Sequence, residues 1–147
     1  KKVSVVAANR QRKIKVNVGA LKRSVENMTS FLGLTGKELG LILTDNVEIE
    51  ALNRMFLHRK GATNVLAFPL CTGKGSSGPL LGDIVISVEK AREEAGRAGL
   101  TLMERLLCLT AHGLLHIIGY THEGSSREAR KMEEMEKRLI IQAKRIA

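Results

Sequence analysis

The chain has 147 residues, of which 44% are hydrophobic, and this length and composition support one folded domain with its own core. No apolar run approaches the roughly 20 residues that a membrane-spanning helix needs, so we expect no membrane partner. A formal charge of +9 favours a polyanionic partner such as nucleic acid. Aromatic residues make up only 3%, so contacts with phosphates should supply most of any affinity for RNA.

Hydrophobic periodicity predicts an α+β fold in which a mixed four-stranded sheet packs with about five helices, in a single domain spanning residues 1–147. The Gly- and Ser-rich loop at 72–79 is predicted to connect two strands as a hairpin. In chain order, the predicted elements are strand 3–8, a short extended segment 13–18, a helix from Leu21 that Gly33 ends, strand 39–44, helix 48–58, strands 63–68 and 81–88, helices 89–98 and 101–118, and a helix from 125 or 126 to about 146.

Two of these helices carry specific expectations about burial. The helix at 101–118 is apolar nearly all round over its C-terminal two thirds, so we expect it to be the buried central helix. Asp45 and Asn46 precede the helix at 48–58 and can cap it. That helix places four apolar residues at helical spacing, which predicts its buried face: Ile49, Leu52, Met55 and Phe56.

Three of the four histidines lie within eleven residues and have the spacing H-x-x-x-H-x-x-G-x-x-H. His112 and His116 are four apart, so on a helix both rings project from one face and can share one metal ion. Gly119 can end the helix in a left-handed conformation, after which His122 can supply a third ligand. Three histidines and one open position are typical of a catalytic metal site at the end of the central helix. Zinc is the expected ion, although nickel or copper would also suit imidazole ligands.

Position 113 bears on what such a metal would do. Metzincin proteases share the histidine spacing and place a glutamate there as general base, whereas this chain has Gly113. Losing a general base costs about 10² to 10⁴ in rate, which argues against peptide hydrolysis by that mechanism. A glycine would also leave room beside the metal for a bulky substrate.

The two cysteines, Cys71 and Cys108, lie far apart and form no CxxC pair. We interpret them as buried, reduced thiols. Reduced thiols fit a reducing compartment, which here means the cytoplasm or an organellar matrix.

Three ordered blocks of the sequence resemble the YbeY family. The block from His112 to His122, HGLLHIIGYTH, is similar to the family pattern H-G-x-L-H-x-x-G-Y-D-H. Leu52-Asn53 followed by the segment 63–69 (TNVLAFP) is similar to L-N…T-D/N-V-L-S-F-P. The segment 81–87 (LGDIVIS) is similar to L-G-D-I-x-I-S. The first fifty residues match the family only in outline.

This resemblance implies a single-strand-specific, metal-dependent endoribonuclease. Such an enzyme would act in ribosomal RNA maturation at the 3′ end of the small-subunit RNA, and in ribosome quality control. It implies ribosomal RNA and small-subunit components as partners, and His112, His116 and His122 as metal ligands. Two alternatives stay open, which are a non-catalytic metal-binding factor in ribosome assembly and a metal-dependent hydrolase of another substrate, such as a peptide.

The chain departs from the family pattern at three positions. Thr121 replaces an aspartate before the third histidine, which removes a carboxylate that could support the metal ligands. Ala67 replaces a serine, and we expect that change to be mild. Leu57 stands where the family has an arginine associated with RNA binding. Arg54 and Arg59 lie nearby in sequence and are therefore the candidates for a basic catalytic or RNA-holding residue.

Overall fold

The computed structural model describes residues 4–34, 36–70, 80–120 and 125–145. Within them, four strands and five helices follow one another in the predicted order, so the α+β prediction is confirmed. The elements are β1 (Ser4–Asn9), α1 (Val18–Phe31), β2 (Glu38–Thr44), α2 (Asn46–Leu57), β3 (Val65–Pro69), β4 (Leu80–Ser87), α3 (Val88–Ala98), α4 (Leu102–Ile117) and α5 (Ser126–Ala143).

The strands form one mixed sheet in the order β1-β2-β4-β3. β1 and β4 both run parallel to β2, which lies between them inside the sheet. β3 runs antiparallel to β4, with Val65 opposite Ile86 and Pro69 opposite Gly82. The pairing confirms the hairpin, whose connecting loop at 71–79 lies outside the described residues.

α4 is the central helix and packs against β3 and β4 as well as against α1, α3 and α5. It buries nine residues, among them Leu106, Leu114 and Leu115, which are fully inaccessible to solvent. Thr101 caps its N-terminus with a reciprocal hydrogen bond to Glu104, which satisfies two backbone donors that the helix itself cannot. The expectation of a buried central helix is therefore confirmed.

The two faces of the sheet carry cores of different size because alternate strand residues point to opposite sides. Ile84 and Ile86 of β4 belong to the large core under α4, whereas Val85 belongs to a small cluster with Ile49 and Leu66. α2 covers that second face. None of the described helices is long and apolar enough to cross a membrane.

The predicted buried face of α2 is partly wrong. Ile49 is fully buried and Leu52 packs on the same cluster, but Met55 is 65% exposed and Phe56 is 56% exposed. The buried face instead runs through Asn53, which is only 5% exposed. Met55 lies two positions further on, about 200° around the helix, and therefore points away from the sheet.

The prediction of a short extended segment at 13–18 is also wrong. No strand forms there, and α1 already begins at Val18 with Asn17 as its N-cap. The side chain of Gln11 holds this region as an irregular turn, because its amide accepts from the backbone N–H of Ile14 at 2.9 Å and donates to the Ile14 carbonyl at 2.8 Å. Polar and apolar residues alternate here without a neighbouring strand to pair with.

Candidate metal centre and substrate groove

The first two predicted metal ligands converge at the C-terminal end of α4. The Nε2 atoms of His112 and His116 lie 3.1 Å apart, and the ring centroids are separated by 4.5 Å. Two ring nitrogens that each lie about 2.0–2.1 Å from a tetrahedral zinc ion are about 3.3 Å apart. The pair therefore has the spacing that two ligands of one ion require.

The third predicted ligand, His122, lies outside the described residues. α4 ends at Ile117, and Gly119 adopts a positive φ of 109°, as the sequence predicted for the end of the helix. The backbone N–H of Tyr120 then donates to the Leu115 carbonyl at 2.9 Å. Among the residues that the structure describes, no three His, Cys, Asp or Glu side chains gather closely enough to hold an ion. The described part of the site is thus a pair of imidazoles.

Glu136 of α5 is the neighbour of this pair that sequence reasoning missed. Its Oε2 atom lies 2.7 Å from Nδ1 of His112. The side chains of both residues are largely buried. The two residues are separated by 24 positions and belong to different helices. No local spacing signals such a contact, so only the packing of α5 against α4 shows it.

Gly113 has a different role from the one expected. The helix position is buried, and a Cβ atom there would meet the side chain of Ile84 at 3.1 Å. The space beside Gly113 is thus filled by β4, and the expectation that the glycine leaves room for a substrate is wrong. The glycine instead lets α4 lie close against the sheet.

A groove of about 500 Å³ opens on the His116 side of the pair, between the end of α2 and β3. Arg59 and Lys60 contribute its positive charges, and no aspartate or glutamate of the described residues lines it. Leu57 and Pro69 add an apolar wall, and Leu57 is 43% exposed. The groove therefore suits an anionic ligand that also has apolar surface.

Asn53 fixes the basic loop of this groove. Its Nδ2 donates to the Gly61 carbonyl at 3.1 Å, while its own backbone carbonyl accepts from the N–H groups of His58 and Arg59. His58 takes the left-handed conformation that ends α2, with φ of 55°. The buried Asn53 is thus hydrogen-bonded to both the start and the end of the turn that carries Arg59.

The two candidate arginines are placed differently. Arg59 lines the groove that contains His116, as described above. Arg54 is exposed on α2, where its Nη2 lies 3.7 Å from the Glu50 carboxylate one turn earlier. Such exposed pairs contribute about 0.3–0.5 kcal/mol. The geometry therefore associates Arg59, rather than Arg54, with the histidine pair.

A second groove of about 380 Å³ lies on the His112 side and has mixed charge. Glu133, Glu136 and Lys137 line it, and Arg105 pairs there with Glu94 at 2.9 Å. Cys108 also lines it, half-buried and without a disulfide, and burial raises the pKa of its thiol. Cys71 lies outside the described residues. The carboxylates make this groove less suited to an anion than the one beside His116.

Comparison with known proteins gives consistent matches along the chain. The family model described as endoribonuclease YbeY matches residues 6–144. A Geobacter metallireducens protein named endoribonuclease YbeY is 38% identical over 141 residues, which is 94% of each chain. A protein of the same name from Syntrophus aciditrophicus is 36% identical and covers 95% of this chain and 89% of its own. In three dimensions, a Thermotoga maritima protein solved in solution superposes with a TM-score of 0.66 at 24% identity, covering 96% of this chain and 88% of its own, which supports the fold.

Proposed function

This chain belongs to the endoribonuclease YbeY family, and we propose on that basis that it is a metal-dependent endoribonuclease that cleaves single-stranded RNA. The observation that carries the proposal is the pair of Nε2 atoms 3.1 Å apart beside a groove lined by Arg59 and Lys60. Its substrate would be ribosomal RNA, at the 3′ end of the small-subunit RNA, in contact with small-subunit components. The same cleavage activity would also serve ribosome quality control. The protein would act in the cytoplasm or in an organellar matrix.

His112, His116 and His122 would hold one ion, with zinc expected and nickel or copper as alternatives. When bound, the ion would act as a Lewis acid toward the phosphodiester. Glycine at position 113 leaves the chain without the glutamate of metzincin proteases, which favours RNA over peptide as the substrate.

The groove residues supply binding and orientation. The Arg59 guanidinium and the Lys60 ammonium would hold phosphates on either side of the cleaved bond. The apolar wall of Leu57 and Pro69 would contact an unpaired base, whose face a duplex keeps inside its stack. These contacts together favour a single strand, since only an unpaired strand offers both phosphates and base faces to one groove.

The first experiment tests the activity itself. Purified protein of known metal content is incubated with a single-stranded RNA, the matching duplex and casein, with and without chelator, beside His116→Ala. We expect cleavage of the single strand that chelator abolishes, zinc restores and the variant lacks. Cleavage that persists in His116→Ala would indicate a contaminating nuclease and contradict the proposal. A 2′,3′-cyclic phosphate on the product would identify the 2′-hydroxyl as the attacking group.

A second experiment tests the groove. In Arg59→Ala, we expect RNA affinity to fall and the slope of log affinity against log salt to decrease by about 0.7, the value for one phosphate contact on a single strand. Lys137→Ala is the matched control, because it removes one exposed positive charge from the His112 side. Equal effects of the two variants would show that RNA does not occupy the groove beside His116.

The apolar side chain of Leu57 in the groove favours one competing function, which is RNA binding without cleavage. Leu57 is an exposed apolar residue inside the groove, at the position where the family pattern resembled by the sequence has an arginine. A protein that binds ribosomal RNA there without cutting it would be an assembly factor. Chelator-insensitive binding of the single strand, with no cleavage at any metal loading, would establish that function instead. Turnover of casein that chelation abolishes would indicate a hydrolase of another substrate.

A further inference from the structure

We infer that Glu136 is a positioning residue that orients His112 for metal binding and holds it in one tautomer. The inference rests on the proposed function in one respect, which is that His112 is taken to be a metal ligand. Its basis is the 2.7 Å contact between Glu136 Oε2 and His112 Nδ1, at side chains that are 25% and 31% exposed. Partial burial keeps solvent from replacing this hydrogen bond freely.

The hydrogen-bonding chemistry of Glu136 and His112 determines which ring nitrogen of His112 carries the proton. A carboxylate oxygen accepts, so this hydrogen bond needs a proton on Nδ1 of His112, and in the singly protonated ring that can bind a metal this is the only ring proton. The lone pair then lies on Nε2, which is the atom directed at His116 Nε2. Metal-ligating histidines commonly donate their second ring N–H to a carboxylate, which fixes the ring and raises its basicity.

The position of Glu136 depends on how α5 docks. Met132 and Leu139, four residues before and three after it, are fully buried in the main core. They lie on the same side of the helix as Glu136, so burying them directs its carboxylate toward α4. Ser125 caps α5 with a reciprocal hydrogen bond to Glu128, which sets where the helix begins. The ring of His112 is thus held by a side chain from a separate helix, which packs against α4 through this shared core.

The test compares Glu136→Ala and Glu136→Gln with Glu133→Ala. Glu133 lies one turn earlier on α5, lines the same groove and carries the same charge, so it controls for loss of negative charge near the site. We expect zinc affinity, measured by competition with a chromophoric chelator, to fall about 10- to 100-fold in Glu136→Ala. Glu136→Gln keeps an oxygen acceptor and should lose less. Glu133→Ala should stay within about twofold of the starting protein.

A second measurement is independent of metal and of activity. Nitrogen-15 NMR of the metal-free protein at pH 8 reports which ring nitrogen of His112 carries the proton. We expect Nδ1–H in the starting protein and in Glu136→Gln, and a mixture of tautomers in Glu136→Ala. A proton on Nε2 in the starting protein would overturn the inference, as would equal zinc affinities for Glu136→Ala and Glu133→Ala. The NMR result stands even if the protein proves not to cleave RNA, which separates the two proposals.

Discussion

Replacing Gly113 with alanine tests whether the helix that carries the histidine pair is held against the sheet by the absence of a side chain. The added Cβ would lie 3.1 Å from Cγ2 of Ile84, 3.4 Å from Cγ1 and 3.5 Å from Cδ1. Ile84 is fully buried, and its β-branched side chain has few alternative rotamers, so it cannot easily move aside. Either Ile84 or the whole of α4 must shift.

Two opposing free energies decide the sign. Alanine in place of glycine within a helix stabilises by up to about 1 kcal/mol. Overpacking of a well-filled core costs about 1–3 kcal/mol. We therefore expect Gly113→Ala to lower the free energy of unfolding by about 1 kcal/mol net, although its helix propensity improves.

Gly96→Ala is the matched control. Gly96 lies within α3, is exposed, and a Cβ there would meet no atom within 4 Å. Only the propensity gain of up to about 1 kcal/mol should remain, so the two variants should differ by about 2 kcal/mol. At roughly 2–4 °C per kcal/mol for a domain near this size, the difference in Tm is about 4–8 °C. Urea and thermal unfolding in chelator measure it, and equal stabilisation by both variants would refute the close contact between α4 and β4.

The exposed side of α2 gives a further prediction, which urea unfolding can test. Met55→Ala should change the free energy of unfolding by less than about 0.5 kcal/mol, whereas Ile49→Ala should lower it by about 2–5 kcal/mol. Similar losses in the two variants would mean that Met55 is buried. For Cys108, burial raises the pKa of the thiol, so its contribution to stability is present below the unfolded-state pKa of the thiol and is lost as the pH rises through the higher folded-state value. In a Cys71→Ser background, alkylation of Cys108 by iodoacetamide should therefore need a higher pH in the native protein than in urea, and coincident pH profiles would contradict the shift.

Local sequence information was sufficient for the order of strands and helices and for the histidine pair. His112 and His116 are one helical turn apart, so a correct helix prediction brings their rings together without reference to the rest of the chain. Asp45 accepts from the Glu48 N–H as the cap of α2, as predicted, because capping also depends only on near neighbours. Family patterns in the sequence identified the family that the comparisons show.

Tertiary packing decided what surrounds that pair. The sequence does not reveal that Glu136 meets His112, that Asn53 rather than Met55 faces the sheet, or that Gly113 fits against Ile84. It also does not reveal that, among the described residues, Arg59 and Lys60 line the His116 side with no carboxylate beside them. Periodicity specifies which side of a helix is apolar, but the partner of each side chain depends on how separate helices and strands dock, and that docking is set by the shape of the whole core.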